Sequence, residues 1–344
     1  MRLAVDVMGG DHAPDAILKG CVAGLAHLSN DDELILIGPA SLIREMLDER
    51  GVHDPRLRVE DAPDVISMED SPAKAVRAKP DSSIVRMAHL GSRKHDRPAD
   101  VVLSAGNTGA CVAAAIMHMK RLPCVHRPGI AVTIPAFHGP VILCDAGANP
   151  EPTHVHLWQY ALMSDVYARV VLNIERPRVA LMNIGAEEGK GSDLVRATRD
   201  LLRNTPDLNF IGFVEGRDFF DGVADVIITD GFVGNTLLKM AEGLAKSIFT
   251  AIAHEIFRCN PELALQFEPV VKAIYAKNDY HEFGGAPLLG VNGSCFIAHG
   301  SSEPRTIKAA IRNCRNYVSN HVNDAIAARL ASVDHLYQAE REPA

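Results

Sequence analysis

The sequence lacks the short motifs that mark the best-understood nucleotide and hydrolase sites. It contains no Gly-x-x-x-x-Gly-Lys-Ser/Thr loop, and Gly-x-Gly-x-x-Gly does not follow any strand-like run. It also has no Gly-x-Ser-x-Gly turn, the motif that places a nucleophilic serine between a strand and a helix. These absences argue against a P-loop site, a Rossmann-type dinucleotide site and an α/β-hydrolase serine.

Paired cysteines are also missing. The seven cysteines are scattered, odd in number and without the close spacing of metal ligands, which argues against a disulfide framework and a zinc site. Cys111, Cys144 and Cys295 lie in or beside apolar runs with no Cys-His pairing, so we interpret them as inert core thiols. The sequence therefore calls for no metal and no cofactor, and we expect a cytoplasmic protein with reduced thiols.

An excess of positive charge is absent as well. Lys and Arg number 35 against 43 Asp and Glu, a formal net charge of −8, whereas binding of a phosphate backbone needs a basic surface. We therefore expect no nucleic-acid partner. Two basic stripes at helical spacing, Arg196 to Arg203 and Arg305 to Arg315, are typical of solvated helix faces; docking of an acidic protein or a membrane head group is the alternative.

No long uninterrupted apolar segment is present. Residues 1–7 predict a first strand and lack the apolar region of a signal peptide. Val101 to Met119 carries no formal charge, but polar residues and glycines interrupt it. We expect a buried strand, a turn and a helix there, not a membrane span.

The pattern that is present is an alternation of buried strands and helices. Short apolar runs such as Val101–Leu103, Val141–Leu143 and Val226–Ile228 are typical of strands buried on both faces, and helix-forming stretches follow them. We predict an α/β fold with a mostly parallel sheet sandwiched by helices; a TIM barrel is the alternative. The 344 residues are expected to form a single unit, 1–344, of two lobes around a cleft.

Six of the apolar runs end in a glycine-containing turn that leads into a helix-forming stretch. Helix N-termini leave N–H groups unpaired and carry about half a positive charge, so such turns bind anions without clustered cations. One such turn is common for structural reasons alone, whereas six favour phosphate binding at one edge of a parallel sheet. The candidate binding residues are Gly9, Gly10, Ser104, Gly106, Thr108, Gly109, Asn149, Asn183, Asp230, Gly231, Asn235, Gly300, Ser301 and Ser302.

Four side chains in or beside these turns are candidates for the chemistry. Lys190 lies in a glycine-rich loop, where its ammonium can meet an anion; a solvent-facing loop lysine is the equal alternative. His299 can exchange a proton near neutral pH, against the alternative of a structural histidine. Asn107 is a potential donor to a developing oxyanion, and Asp11 could orient phosphate or relay a proton.

One segment departs from the alternation. From Thr236 to about Arg258 the apolar residues recur at helical spacing. Pro261 and Pro269 then bracket a turn that contains Leu263, Leu265 and Phe267. A helical hairpin over 237–280 that projects from the sheet fits this pattern, with an ordinary core helix and loop as the alternative.

Together these pieces resemble one family, the bacterial phosphate acyltransferase of phospholipid synthesis, commonly called PlsX. The matching segments follow one another in family order along nearly the whole chain. They are 6–14, Ser71-Pro72 with 79–83, 104–110, Arg127-Pro128, 145–149, 183–185 with Lys190-Gly191, 229–235 and 290–293 with 298–302.

The resemblance implies a fold similar to isocitrate and isopropylmalate dehydrogenases and a homodimer. It implies transfer of an acyl group from acyl-acyl carrier protein to inorganic phosphate, with a membrane glycerol-3-phosphate acyltransferase using the product. It also implies peripheral contact with the membrane surface through the hairpin, at Leu263, Leu265 and Phe267. A dehydrogenase of the same fold and a non-catalytic scaffold of lipid synthesis are the competing hypotheses.

Overall fold

The computed structural model describes residues 1–259, 269–270 and 283–341. Its α-helices within these ranges are α1 (Asp15–Gly24), α2 (Ala40–Glu49), α3 (Pro72–Ala78), α4 (Ser83–Leu90), α5 (Thr108–Ala114), α6 (His154–Val171), α7 (Asp193–Arg203), α8 (Gly231–Cys259), α9 (Pro304–Ser319) and α10 (Val322–Arg341). A π-helical turn, Ala115–Met119, continues α5, and 3₁₀ turns cover Leu25–His27 and Gly216–Asp218.

The strands form one open sheet, as the alternation of apolar runs predicts. They are β1 (Arg2–Asp6), β2 (Glu33–Gly38), β3 (Leu57–Asp61), β4 (Val101–Ser104), β5 (Gly129–Ile134), β6 (Val141–Cys144), β7 (Val179–Met182), β8 (Phe210–Val214), β9 (Val226–Ile228), β10 (Ala286–Leu289) and β11 (Ser294–Ile297). Their order across the sheet is β3-β2-β1-β4-β11-β10-β5-β6-β9-β7-β8. The sheet is open and mostly parallel, so the predicted fold class is confirmed and the TIM barrel is excluded.

The helices cover both faces of the sheet. Leu3 and Val5 of β1 point into a core shared with α1, α2, α6, α9 and α10. The intervening Ala4 faces a second core, which α3, α4 and α5 cover. Since successive side chains of a strand alternate between faces, a strand covered on both sides must be apolar throughout.

The direction of the strands divides the sheet into two halves. β1, β4 and β11 are mutually parallel. The next three pairs across the sheet are antiparallel: β11 with β10, β10 with β5, and β5 with β6. β6, β9 and β7 therefore run opposite to β1, β4 and β11. The expectation that all six glycine turns line one edge is wrong, because three follow strands of one half and three follow strands of the other.

Helix α8 spans 29 residues and confirms the helix predicted from Thr236 onward. Residues 260–268 and 271–282 lie outside the described ranges, and with them Leu263, Leu265, Phe267 and the return arm of the predicted hairpin. In the part of the chain that the structure describes, no helix is long and apolar enough to cross a membrane. The two lobes around a cleft stay a prediction.

Candidate active site

Three of the predicted turns touch one another at the carboxyl ends of β1, β4 and β11. The turn after β1 donates the Asp11 N–H to the Gly300 carbonyl at 2.7 Å. A Cβ on Gly9 would lie 2.5 Å from the Gly106 nitrogen, so the first two turns meet backbone to backbone. We call this contact of residues 8–12, 104–109 and 299–302 the first turn cluster. Helices α1, α5 and α9 all begin beside it.

A buried carboxylate lies beneath the first turn cluster. Asp6 is fully buried; it accepts the Ser104 hydroxyl at 2.7 Å and the Met8 N–H at 3.0 Å. Burial raises the pKa of Asp6, and hydrogen bonds from Ser83 and Ser104 oppose that shift. The Ser104 oxygen in turn accepts the Gly106 N–H at 3.0 Å. The Ser104 hydroxyl and the Gly106 N–H, both predicted to bind phosphate, are therefore bonded inside the protein.

Asn107 holds the start of α5 and a neighbouring loop. Its side-chain oxygen accepts the Ala110 N–H at 3.0 Å, and its amide nitrogen donates to the Ser67, Met68 and Asp70 carbonyls. Within the described residues, the N–H groups of Thr108 and Gly109 have no acceptor. Unpaired N–H groups at a helix start point outward along its axis and can receive an anion.

The exposed polar residues of the first turn cluster are Asp11, His12, His299 and Ser301. His299 is exposed, with Nδ1 2.7 Å from the Ser301 hydroxyl and accepting the Ser301 N–H at 3.3 Å. Ser302 is buried, and its hydroxyl donates to the His299 carbonyl. Asp11 is exposed on the adjacent turn. Asp11, His299 and Ser301 are thus exposed to a ligand, with the Ser301 hydroxyl bonded to the exposed His299 ring, whereas the Ser302 hydroxyl is buried and bonded to the backbone.

The turns after β6 and β9 form a second turn cluster, residues 145–149 and 230–235. Asp145 is buried, and its carboxylate accepts the N–H groups of Ile130, Gly147, Ala148 and Asn149 at 2.6–3.3 Å. Burial raises the pKa of Asp145 to about 6, against these four hydrogen bonds. The donors expected to bind phosphate in this turn are occupied by the chain's own carboxylate.

The start of α8 packs directly against the Asp145 turn. A Cβ on Gly234 would lie 1.9 Å from the Asp145 carbonyl oxygen, so only glycine permits this approach. Asp230 caps the helix through the Val233 N–H at 2.8 Å, and Gly231 donates its N–H to the Asn149 carbonyl. The Asn149 amide donates to the Pro128 carbonyl and to the Tyr160 hydroxyl. Asp230, Gly231 and Asn149 thus hold α8 in place.

Lys190 lies in the exposed loop after β7, next to the second turn cluster in the sheet. The buried Asn183 anchors this loop by donating to the Gly185 carbonyl at 2.9 Å. In the described part of the chain the Lys190 ammonium has no acidic partner, whereas arginines of α7 pair with Glu188 and Asp193. The Lys190 ammonium is therefore available to an anion.

The four candidate chemical groups are not together in one chain. Asp11, Asn107 and His299 lie at the first turn cluster, and Lys190 follows β7 at the opposite edge of the sheet. β7 is six positions from β4 in the strand order, which corresponds to about 29 Å measured across the strands. A phosphate bound at the first turn cluster is beyond the reach of the Lys190 of the same chain.

Three residues of the two clusters were missed as candidates by the sequence analysis. Asp6 and Asp145 organise the two turns from beneath, and Arg127 lies close enough to influence Tyr160. The available signal was an aspartate at the end of an otherwise apolar strand, directly before a glycine turn. Among the described residues, no group of three or more His, Cys, Asp or Glu could hold a metal ion.

Comparisons with known proteins agree with this architecture. A family model described as "Fatty acid synthesis protein" matches residues 1–325. The phosphate acyltransferase of Desulfitobacterium hafniense (strain DSM 10664 / DCB-2) is 44% identical over 333 residues, which are 96% of this chain and 98% of that protein. The phosphate acyltransferase of Dictyoglomus turgidum is 40% identical over 97% of this chain and 98% of that protein.

Two solved structures share the fold at low sequence identity. The phosphotransacetylase from Streptococcus pyogenes has a TM-score of 0.59 at 16% identity and covers 92% of this chain and 94% of its own. The 4-hydroxythreonine-4-phosphate dehydrogenase from Klebsiella pneumoniae has a TM-score of 0.53 at 13% identity, covering 92% of this chain and 98% of its own. The second likeness agrees with the predicted similarity to a dehydrogenase fold.

Proposed function

The chain belongs to the phosphate acyltransferase family of fatty acid and phospholipid synthesis, and from that premise we propose its reaction. It transfers a fatty acyl group from acyl-acyl carrier protein to inorganic phosphate, and the acyl phosphate serves phospholipid synthesis. The observation that carries the proposal is the first turn cluster, in which three turns touch and three helices begin. Converging helix starts favour a small dianion.

The phosphate lies against the start of α5 in this proposal. The unpaired N–H groups of Thr108 and Gly109 donate to its oxygens. Gly10 packs against Ala105 and the Gly300 carbonyl in the same cluster. Asn107 positions these donors, because its own amide is bonded to the 67–70 loop. The exposed hydroxyl of Ser301 orients the phosphate. The Asp11 carboxylate also orients it when the phosphate is protonated, because Asp11 then accepts a hydrogen bond from it.

The reaction is a direct attack. A phosphate oxygen forms a bond to the thioester carbonyl carbon, the carbon–sulfur bond breaks, and the departing thiolate takes up a proton. Charge grows on the carbonyl oxygen during the attack, and loss of one preorganised N–H donor for such a charge typically costs about 3 to 4 kcal/mol. The thiol has a pKa of about 8.5 on the cysteine model, so His299 needs to supply only modest acid assistance.

A homodimer completes the site. Lys190 and the first turn cluster lie at opposite edges of one chain, so Lys190 of a second copy offsets the phosphate charge. The exposed apolar stripe of α8, Met240, Leu244, Ile248 and Ile252, supports association, because a helix face of this kind is usually covered.

The protein also contacts the membrane surface in this proposal, where a glycerol-3-phosphate acyltransferase consumes the acyl phosphate. The contact uses Leu263, Leu265 and Phe267 of the predicted hairpin. Replacement of the three by serine should release the protein from phospholipid vesicles in a flotation assay. Undiminished flotation would contradict the contact.

The reaction is tested with purified protein, a long-chain acyl-acyl carrier protein and a thiol reagent. Free thiol should appear only when inorganic phosphate is present, together with an acyl phosphate that hydroxylamine traps. Thiol release at the same rate without phosphate would identify a thioesterase and contradict the proposal. A lack of turnover with phosphate would contradict it as well.

A further inference from the structure

One stretch of this acidic chain is free of acidic residues. Between Val101 and Cys144 there is no Asp or Glu, although the chain as a whole has a net charge of −8. The stretch contains three cationic residues, Lys120, Arg121 and Arg127, and all three are exposed. They lie within residues 120–127, which we call the basic segment. A local positive surface on an acidic protein favours an acidic partner.

The basic segment borders an open groove of about 440 Å³. Ile116, Leu122 and Val125 supply its apolar lining, and Lys120 and Arg121 lie at its border. The Leu122 N–H donates to the Gly290 carbonyl at 2.9 Å, and the Asn292 N–H donates to the Lys120 carbonyl at 3.0 Å. Backbone hydrogen bonds on both sides of Arg121 therefore fix the segment that lines the groove at the end of the sheet.

Two cationic side chains of the segment, Lys120 and Arg121, donate to neutral acceptors. The Lys120 ammonium donates to the Met117 carbonyl at 2.7 Å, and Arg121 donates to the His126 carbonyl. Carbonyl oxygens fix these side chains without cancelling their charge. The arginines of α7 are different, because Glu188 and Asp193 neutralise them, which removes that stripe as a docking surface.

His156 lies beside the segment and is neutral at pH 7. Burial, together with the charges of His126, Arg127, His154 and Arg121, lowers its pKa to about 4. Asp334 is close enough to Cys124 to influence its thiol, so an acid lies near one side of the groove. The exposed rim made by Lys120, Arg121 and Arg127 retains its positive charge.

The basic segment is connected to the second turn cluster. The Asn149 amide of that cluster donates to the Pro128 carbonyl, next to Arg127, at 2.7 Å. A partner bound on the segment thus lies at the sheet edge where Lys190 also lies. We propose that the basic segment docks the acyl carrier protein, with an acidic helix along Lys120, Arg121 and Arg127 and an apolar side chain in the groove. This inference rests on the proposed function.

A protein partner fits this surface better than a lipid bilayer. The apolar lining is concave and lies between charged side chains, a shape that receives a protruding side chain of a helix. Contact with a bilayer surface favours a flatter or convex face with a denser set of Lys and Arg.

The test is the double variant Lys120→Glu with Arg121→Glu, in the full-length protein. The control is Arg44→Glu with Arg176→Glu, which makes the same charge change at exposed arginines elsewhere. The KM for acyl-acyl carrier protein should rise at least tenfold in the test variant alone, with kcat unchanged. The KM for a small acyl-pantetheine thioester should be unchanged in both variants, and the wild-type KM for the carrier should rise with salt.

Direct binding separates this inference from the proposed reaction. Fluorescence anisotropy of labelled holo carrier protein measures docking even when no thioester turns over, and the test variant should lose at least tenfold in affinity. Equal affinity of the test variant and wild type would overturn the docking surface. An altered sedimentation coefficient would overturn it too, since the segment would then join two copies of the chain. Arg121→Gln provides a milder variant if the double variant fails to fold, and it should weaken binding at least twofold.

Discussion

At the scale of single residues, two buried aspartates determine what the glycine turns do. Asp6 and Asp145 each stand where an apolar strand ends, and each accepts the N–H groups of the turn that follows. The turns are therefore rigid supports, and among the described residues the N–H groups of Thr108 and Gly109 at the start of α5 are left for a ligand. Removal of either carboxylate would leave buried N–H groups without an acceptor, which costs free energy of folding.

Gly9 is the residue whose substitution reports on the first turn cluster. A Cβ there would lie 2.5 Å from a carboxylate oxygen of Asp6 and 2.5 Å from the Gly106 nitrogen, and neither group can move away freely. Gly9→Ala should reduce the free energy of unfolding by about 1 to 3 kcal/mol and abolish most acyl transfer. Urea denaturation and the thiol assay measure the two effects. Gly216→Ala, where a Cβ would meet nothing within 4 Å, is the control and should leave both values unchanged.

Asp145 should make stability depend on pH. Its pKa is raised from 3.8 to about 6 in the folded protein, so between these values the folded state holds the proton more tightly than the unfolded state. The contribution of Asp145 to the free energy of unfolding therefore decreases as pH rises from about 4 to about 6. Asp145→Asn should destabilise the protein by about 1 to 3 kcal/mol, because a donor replaces one of the two acceptor oxygens.

Urea denaturation of wild type and Asp145→Asn at pH 4.5 and pH 7 checks this expectation. The free energy of unfolding of the wild type should exceed that of Asp145→Asn by more at pH 4.5 than at pH 7. A difference that stays constant, or that grows toward pH 7, would show that the Asp145 pKa is not raised.

At the scale of elements, the strands and helices were largely predictable and their mutual directions were not. The runs Val141–Leu143 and Val226–Ile228 form strands because every position is apolar and both faces are covered. Nothing in those residues encodes that β6 runs antiparallel to β5, which the hairpin of residues 135–140 imposes. The sequence therefore predicted six turns but placed them at one edge instead of two.

The long helix α8 has an apolar stripe that the described part of the chain leaves exposed. Its first residues are fixed by Asp230 and Gly234, whereas Met240, Leu244, Ile248 and Ile252 are exposed along one side. Leu244→Ser with Ile248→Ser should weaken association of two copies at least tenfold, because the stripe loses most of its central apolar area. Sedimentation velocity measures the change. Phe137→Ser removes an exposed side chain of another loop and should have no effect.

At the scale of the whole molecule, Lys190 and the first turn cluster lie at opposite edges of the sheet, so we propose that two copies of the chain form one site. Lys190 and Asn107 lie at different edges, so in the proposed dimer each site takes them from different copies. Lys190→Ala and Asn107→Ala, each strongly impaired alone, should recover activity when they are unfolded and refolded together. Random pairing gives one half heterodimers, each with one intact site, so recovery should approach about a quarter of wild type. If no activity is recovered, both residues act within one chain or in separate steps.

The fold of the molecule could be predicted more fully than its site. The order of apolar runs and the family segments were enough for an α/β sheet, because burial on both faces requires that pattern. The site depends on hydrogen bonds between residues far apart in sequence, such as Asp6 with Ser104 and Asp11 with Gly300. Such pairings follow from strand order, which the local pattern of residues does not specify.

The most direct test of attack by phosphate on the thioester uses inorganic phosphate labelled with ¹⁸O at all four oxygens. Mass spectrometry then measures how many labels the acyl phosphate carries. Attack by a phosphate oxygen on the thioester carbon keeps all four labels in the product, with the bridging oxygen among them. We predict acyl phosphate that carries the full label. A product with only three labels would mean that the acyl group left the carrier as a carboxylate before it met phosphate, and it would contradict the direct transfer proposed here.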